Sequence, residues 1–201
     1  MARYTGPKNK LARKIGEDLG LKTNALKVAR RLTSKPGQHG AKSKRKNSDF
    51  GTQLNEKQKV KYIYGILEKQ LRKLYTQASK NPTATGAALL SLLERRLDNV
   101  IYRLGWAGTR AAARQLASHS HVRINGKKMD IPSYEVKVND VITLTSKATK
   151  IPLVAEGIKE NGNKVTWLEQ KGAVAKVARY PERTDISESI DEQLIVEYYS
   201  R

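Results

Sequence analysis

The stretch LLERRLDNVIYRL, residues 92–104, decides the fold of this chain because it pairs a helical apolar stripe with a strongly basic face. At about 100° per residue, Leu89, Leu93, Leu97 and Leu104 fall into one sector of a helix. A second sector holds Arg95, Arg96, Asn99, Tyr102 and Arg103. Because the apolar sector must be buried, we expect the polar sector to face outward, where it suits a phosphate backbone and unstacked bases. The alternative is an ordinary solvated charged face.

The segment TRAAARQLASHSHVRING, which begins at Thr109, predicts a second short helix and a β-hairpin. Gly105 can end the first helix in a left-handed conformation, and Thr109 can cap the second helix. Arg110 and Arg114 are four residues apart, so they lie on the same face of that helix. The Asn-Gly pair at 125–126 is a strong signal for a two-residue hairpin turn, and two lysines follow it. Two short helices with aligned arginines and a basic hairpin predict a compact surface that binds RNA.

The charge of the chain limits its partners. Its 201 residues include 39 Lys and Arg against 19 Asp and Glu, which gives a net charge of +20 and a pI of about 10.1. Such a chain binds a polyanion, whether nucleic acid, an anionic membrane or an acidic protein. No apolar run approaches the roughly 20 residues that span a bilayer, and no signal-peptide pattern opens the chain, so we expect no membrane partner. The absence of cysteine excludes disulfides and thiolate metal sites.

The N-terminal quarter is especially basic. Residues 1–48 contain 14 Lys and Arg and only two acids, Glu17 and Asp18. Apolar periodicity there extends to little more than one short helix around Leu11 and Ile15. We interpret this stretch as an extension that RNA orders, and the alternative is a disordered tail.

A long helix is predicted from Asn55, which with Gln58 resembles a capping box. Lys57 is expected on the outer side of this helix. Its buried stripe is predicted at Val60, Ile63, Leu67, Leu71 and Leu74.

The segments that predict helices and strands after the basic hairpin are shorter than the long helix predicted before it. Ile151-Pro152 indicates a helix start, because proline suits the first helical position. Trp106 and Trp167 are expected to fill the core or the edges of the module. β-Branched runs predict three strands, at 164–168, 173–177 and 194–199.

No motif in the sequence indicates a catalytic or metal-binding site. His119 and His121 have no carboxylate or cysteine near them in sequence, so contact with phosphate or a base, or an ordinary hydrogen-bonded surface histidine, is favoured over a metal. The spacing of Asp98 from Arg95 and Tyr102 favours a partner within the helix over a catalytic role. No nucleophile elbow, P-loop or zinc-protease motif occurs. We therefore expect no enzyme activity, no cofactor and no metal.

Longer strings in the chain are similar to one known family. The segment from Leu92 to Leu144 resembles the RNA-binding module named after ribosomal protein S-four. The resemblance continues in ARYTGPKNKLARK from residue 2, KPGQHGAK at 35–42, SDFGTQLNEKQKVKYIYG at 48–65, PERTDI at 181–186 and LIVEYYSR at 194–201. Because these strings run in order over essentially the whole chain, it is identified as a member of the bacterial-type small-subunit ribosomal protein S-four family.

This resemblance implies an α+β fold. In the family, the two-helix-plus-β module is inserted into a helical domain built from both chain ends. The implied domains are a basic N-terminal extension over 1–45, a helical domain over 46–90 plus 178–201, and the inserted module over 91–177. Many relatives carry a four-cysteine zinc knuckle, but Asn9 and Ala12 stand where its first pair would fall. The chain therefore resembles the zinc-free variant.

The resemblance also implies a structural role in the small ribosomal subunit of the cytoplasm. Expected partners are the 5′ domain of small-subunit rRNA, ribosomal protein S-five, and mRNA at its entrance channel, where the protein would support translational accuracy. Lys42, Lys44, Arg45 and Lys46 would touch the incoming message. No homo-oligomer is expected.

The residues expected to bind RNA share basic or hydrogen-bonding side chains, which neutralise phosphates or contact sugars and bases. They are Arg3, Lys8, Arg13, Lys14, His39, Lys44, Arg45, Lys57, Arg95, Arg96, Asn99, Tyr102, Arg103, Thr109, Arg110, Arg114, Gln115, His119, Asn125 and Lys127.

Two other classes of protein remain as alternatives. A pseudouridine synthase or tRNA synthetase can use the same module to hold RNA, but it needs a catalytic domain, for which the segment after the module is too short. A small stress protein that binds stalled ribosomal particles is the third interpretation, and the matching terminal strings argue against it.

Overall fold

A computed structural model describes residues 4–40, 48–81, 84–159 and 165–201. The chain separates into two compact units, Met1–Gly86 with Glu188–Arg201, and Ala87–Ser187. The described residues combine helices with one antiparallel sheet, so the predicted α+β class is confirmed. The first unit draws on both ends of the chain. Its division into an extension and a helical domain stays a prediction, as do the predicted boundaries of the inserted module.

The first unit is helical in its described parts. Its core includes Val60, Ile63 and Ile195, all buried. The last helix of the chain packs against the third. The helices are α1 (Lys8–Ile15), α2 (Ala25–Ala29), α3 (Asp49–Ile63), α4 (Glu68–Ala78) and, at the C-terminal end, α9 (Glu192–Ser200).

The predicted long helix is in fact two helices, α3 and α4. Ser48 caps α3 by accepting a hydrogen bond from the Gly51 N–H at 3.2 Å, so the prediction of a start at Asn55 is wrong. Gly65 has a φ of 62°, a left-handed conformation that glycine adopts without strain, and the chain turns there. Of the predicted apolar stripe, Val60, Ile63 and Leu71 are buried, whereas Leu67 and Leu74 are only partly buried.

Residues 194–199, predicted as a strand, belong to α9. Asp191 caps this helix by accepting hydrogen bonds from the N–H groups of Gln193 and Leu194 at 3.0 and 3.4 Å. The Gln193 side chain donates to Glu197 one turn later, at 3.1 Å. The β-branched run favours a strand only weakly, and the cap together with packing on α3 outweighs it.

The second unit places helices against a five-stranded sheet. Its core includes Trp106 and Trp167, both fully buried as predicted. The strands follow the order β2-β1-β3-β5-β4, and all neighbours are antiparallel. The elements are α5 (Thr85–Glu94), which begins at the end of the first unit, α6 (Leu97–Arg103), α7 (Arg110–Ser118), β1 (Val122–Ile124), β2 (Lys127–Met129), β3 (Val141–Leu144), α8 (Pro152–Lys159), β4 (Leu168–Lys171) and β5 (Val174–Val177).

Most of the predicted elements of this unit are confirmed. Asn125 and Gly126 both have positive φ, 51° and 80°, as a two-residue hairpin requires. Pro152 starts α8, and the strand predicted at 173–177 is β5. The strand predicted at 164–168 is misplaced, because β4 begins only at Leu168, after a turn.

The helix predicted over 92–104 is broken between α5 and α6. Arg96 has an extended backbone, with φ −67° and ψ 136°, and forms an isolated bridge with Glu135. The Leu97 N–H donates to the Tyr134 carbonyl at 2.8 Å. Backbone groups that a continuous helix would satisfy internally are therefore satisfied by a distant loop.

Candidate RNA interface

A buried ion pair occupies the place where the sequence predicted an exposed basic face. Glu94 and Arg103 are only 1% and 2% exposed. The carboxylate of Glu94 accepts hydrogen bonds from Arg103 Nη2 at 2.7 Å and Nε at 2.8 Å. Asn99 Nδ2 donates to the same carboxylate at 2.7 Å. The prediction that Arg103 and Asn99 face outward is wrong, because this bidentate, charge-assisted network draws both side chains inward.

A second buried cluster surrounds Asp98. Arg96 donates from Nε and Nη2 to the two carboxylate oxygens, at 3.1 and 2.9 Å. Arg114 Nη1 lies 3.8 Å from the same carboxylate. All three side chains are buried, so the predicted outward orientation of Arg96 and Arg114 is also wrong. The predicted partners of Asp98, Arg95 and Tyr102, are replaced by these two arginines.

The interruption of the predicted helix at Arg96 explains why these arginines were wrongly expected to face solvent. A helical wheel assumes one continuous helix and assigns its polar sector to solvent. The break at Arg96 starts a new helix, and the buried cations are then paired, as buried charges must be. A signal was present in the sequence, since Glu94 and Asp98 are the only acids between residues 92 and 114.

Arg110 is the partly exposed cation that this buried network positions. Its Nε donates to Asn99 Oδ1 at 2.7 Å, and its guanidinium carbon lies 4.4 Å from the centre of the Tyr102 ring. The amide of Asn99 is oriented by Glu94, because its nitrogen already donates to that carboxylate. Contacts with Asn99 and Tyr102 therefore hold the Arg110 guanidinium in a defined position.

Three other predicted residues of the second unit have structural roles. Thr109 caps α7 by accepting from the Ala112 N–H at 3.2 Å, as predicted. Arg95 lies with its guanidinium carbon 4.2 Å from the Tyr180 ring centre. The Asn125 side chain links the hairpin to the start of β3. Its Oδ1 accepts a hydrogen bond from the Val141 N–H, and its Nδ2 donates to the Asp140 carboxylate, both at 2.9 Å. Gln115, His119 and Lys127 are exposed.

The register of the sheet reveals a basic row that periodicity did not. Arg123 on β1 is paired with Lys128 on β2 and with Thr143 on β3. Thr143 is paired with Val174 on β5, which is paired with Lys171 on β4. Cross-strand partners share one face of a sheet, and the flanking residues of β1 are in the core, so this row lies on the outer face. Alternation alone marks Arg123 as exposed, but only the strand order brings Lys171 into its row.

Lys57, predicted on the outside of its helix, is 3% exposed. Its Nζ donates to Glu68 at 2.9 Å and lies 4.5 Å from the Tyr198 ring centre. The prediction is wrong because α9 packs on this side of α3. Burial raises the pKa of Glu68, but hydrogen bonds from Lys57 and Tyr199 outweigh it, so the net pKa is lowered.

The N-terminal residues differ in exposure. Arg13 donates to the carbonyls of residues 34 and 35 at 2.8 and 3.2 Å, so it stabilises the loop that follows α2. Lys14 and His39 are exposed, and Lys8 is half-buried. Arg3, Lys42, Lys44, Arg45 and Lys46 lie outside the described residues.

Neither a metal cluster nor a membrane span occurs in the described parts of the chain. Among these residues, no three His, Asp or Glu side chains come together as metal ligands would. The rings of His119 and His121 are 6.3 Å apart. No helix in the described ranges has the length and apolar character needed to cross a bilayer.

Two family models match this chain. Residues 95–142, which contain α6, α7, β1 and β2, match the S4 domain, and residues 3–94 match the ribosomal protein S4/S9 N-terminal domain. Helices α6 and α7, the hairpin and the basic residues Arg110, Arg123 and Lys128 thus lie in an RNA-binding S4 domain, which defines the class of the protein.

Relatives define the family within this class. The chain is 50% identical over 204 residues to the small ribosomal subunit protein uS4 of Parabacteroides distasonis, and both chains are covered completely. It is 48% identical to the proteins of that name from Bacteroides thetaiotaomicron, over 204 residues, and Cupriavidus taiwanensis, over 207 residues, again with 100% coverage. The chain therefore belongs to the uS4 family of small ribosomal subunit proteins. This is a family of ribosomal structural proteins, so the prediction that the chain is not an enzyme is confirmed.

Proposed function

We propose that the chain is a structural constituent of the small ribosomal subunit, in the cytoplasm, and binds the 5′ domain of small-subunit rRNA early in assembly. The observation that carries this proposal is the full-length similarity to uS4 proteins, which includes the whole S4 domain match. The net charge of +20 supports a polyanionic partner, since phosphate neutralisation releases counterions and provides affinity.

The proposed RNA surface consists of exposed and partly exposed side chains of the second unit and leaves out the buried arginines. Its preorganised element is Arg110, held by Asn99 and Tyr102. Such a surface recognises a folded RNA by its shape and its phosphates, with few base-specific contacts. Its other members lie on two sides of the sheet: Gln115, His119 and Lys127 on the side of α7, and Arg123, Lys128 and Lys171 on the outer face.

Substitution of the basic row tests this surface. The double variant Arg123→Gln with Lys128→Gln should weaken binding to a 5′-domain rRNA fragment and lower the salt slope by about one for each phosphate that is no longer neutralised. The control, Lys69→Gln with Lys73→Gln on α4, removes the same charge from exposed positions of the other unit. Equal affinity and salt slope in the two variants would exclude the row from the interface.

The role in the subunit is tested separately. A tagged chain should sediment with small subunits in a sucrose gradient, and sedimentation only as free protein would contradict the proposal. Contact with ribosomal protein S-five is proposed from the family resemblance, as is contact of Lys42, Lys44, Arg45 and Lys46 with mRNA at the entrance channel. A photoreactive message bound to assembled subunits should cross-link to the chain, and a bifunctional amine-reactive reagent should join the chain to ribosomal protein S-five.

A further inference from the structure

A cavity of about 370 Å³ lies in the first unit, between α1 and the turn from α3 to α4. Among the described residues, its lining includes four lysines and two tyrosines and no acidic side chain. These are Lys8, Lys10, Lys14, Lys61, Tyr4 and Tyr62. Backbone and apolar groups of residues 65–67 line another part of it. The cavity is therefore cationic, aromatic and partly apolar at once.

The sequence around Gly6 shapes one wall. The Tyr4 ring folds back over Gly6, where an added Cβ would lie only 2.5 Å from the Tyr4 hydroxyl oxygen. Lys8 Nζ lies 3.4 Å from the Tyr4 carbonyl oxygen and 5.7 Å from its ring centre. Lys10 and Lys14 are one helical turn apart on α1 and are both exposed.

The opposite wall comes from the end of α3. Lys61 Nζ lies 5.8 Å from the Tyr62 ring centre and 3.3 Å from Glu68. Burial, and secondarily the proximity of Tyr4, raises the pKa of Tyr62. A tyrosine hydroxyl is protonated at neutral pH even at its ordinary pKa of about 10, so it can donate a hydrogen bond. Gly65, with φ 62°, turns the chain and itself adds no side chain to this wall.

We propose that this cavity binds a single unpaired nucleotide of an RNA strand, with its base against a tyrosine ring and its phosphates among the lysines. The volume falls in the range of about 300–1,000 Å³ that small-molecule sites occupy. Aromatic rings stack on any base, and lysines neutralise the flanking phosphates. An acidic peptide would need the lysines but would gain less from two tyrosines, so the nucleotide is favoured. The inference rests on the proposed function, because it assigns the same chain a second RNA contact outside the S4 domain.

Ultraviolet cross-linking of the full chain to the 5′-domain rRNA fragment, followed by mass spectrometry, tests the base contact. We expect a nucleotide on the peptide that contains Tyr4 or on the one that contains Tyr62. Tyr4→Ala should weaken binding about tenfold, the order of one missing base stack, whereas Tyr4→Phe, which keeps the ring, should restore affinity.

The lysines are tested by charge. Lys10→Gln with Lys14→Gln should lower the salt slope by about two, one for each phosphate that the variant leaves without its lysine. The matched control, Lys69→Gln with Lys73→Gln on α4, should leave the slope nearly unchanged. Circular dichroism of each variant reports whether it folds. The cross-link in the unsubstituted protein tests the contact between the cavity and an RNA base independently of any variant.

The outcomes separate this inference from the proposed function. Failure of the unsubstituted chain to bind the rRNA fragment would overturn the proposed function and this inference with it. The inference alone would be overturned if the unsubstituted chain binds the RNA normally, neither tyrosine is cross-linked, and the cavity variants have the same affinity and salt slope as the control variant. Protection of Lys10 and Lys14 from acetylation by millimolar AMP or by polyglutamate, but not by the RNA, would assign the cavity to a free nucleotide or an acidic peptide instead.

Discussion

At the scale of single residues, the pairing of Arg103 with Glu94 changes the expected effect of an arginine substitution. The sequence pattern predicted Arg103 as an exposed residue that contacts RNA, and substitutions of exposed residues usually change stability by less than about 0.5 kcal/mol. The structure buries it in a bidentate ion pair with a carboxylate that also accepts from Asn99. Removal of one partner of such a pair leaves the other charge buried without compensation, which is strongly destabilising.

Arg103→Gln is therefore expected to lower the free energy of unfolding by about 3–5 kcal/mol, because Glu94 is left buried without its cation. The exposed control Arg123→Gln should change it by less than about 0.5 kcal/mol. Urea unfolding at neutral pH measures both. A stability for Arg103→Gln equal to that of the control would contradict the buried pair.

Asp185 is expected to make stability depend on pH. Partial burial raises its pKa, but hydrogen bonds from Arg179, Thr166 and the Glu182 N–H outweigh this, and the net pKa is lowered. A group with a depressed folded-state pKa stabilises the fold above its unfolded pKa, about 3.9 for aspartate, and loses that contribution as the pH falls through the lower folded value.

Asp185→Asn should accordingly be less stable than the parent at pH 7, and the difference should shrink as the pH falls from about 5 towards 3, across the ordinary aspartate pKa. Unfolding curves of both proteins across that range give the comparison. A difference that stays constant with pH would show that the carboxylate charge is not the cause.

At the scale of elements, the turn between α3 and α4 shows how one residue divides an apolar stripe into two helices. A Cβ at Gly65 would meet no atom within 4 Å, so a substitution there encounters no steric obstacle in space. Its φ of 62° is the obstacle, since L-residues other than Asn and Asp rarely adopt it.

Gly65→Ala should cost about 1–2 kcal/mol, the penalty of the left-handed conformation for an ordinary L-residue. Gly65→Asn should fall between Ala and the parent, because asparagine tolerates this region. Thermal unfolding of the three proteins gives the order. If alanine proved as stable as glycine, the turn would not depend on backbone conformation at this position.

The sheet combines a hairpin that is determined locally with a basic row that depends on the order of its strands. Its hairpin could be predicted from Asn125 and Gly126 alone, because a two-residue turn is a local feature. The row formed by Arg123, Lys128 and Lys171 could not, because it depends on β3 and β5 lying between β1 and β4.

At the scale of the whole molecule, the excess of positive charge dominates the expected binding behaviour. The affinity of the chain for the 5′-domain rRNA fragment should fall steeply between about 50 and 200 mM monovalent salt, because bound cations are released from the RNA on binding. Filter binding across this range gives the slope. An affinity that hardly changes over the range would falsify the electrostatic account.

Metal removal should have no effect on the fold. The chain has no cysteine, and no group of metal ligands occurs among the described residues. EDTA should therefore leave the melting curve unchanged, as measured by circular dichroism. A drop in melting temperature that zinc reverses would show a metal site that these residues do not reveal.

The sequence by itself determined the family, the polyanionic class of partner and the local signals. The cap at Thr109, the helix start at Pro152, the hairpin at 125–126 and the buried Trp106 and Trp167 all depend on neighbouring residues or on hydrophobicity, which can be read along the chain. The family emerged from long strings of residues in order, and the matches over the whole chain confirm it.

Only the tertiary structure decided which charged residues are available to a ligand. Arg96, Arg103 and Arg114 have the same charge and spacing as surface arginines, but the break before α6 places carboxylates against them. The same holds for Lys57, which α9 covers from the far end of the chain. Periodicity reports which residues share a face of one element, whereas burial of a charge depends on what another element brings to that face.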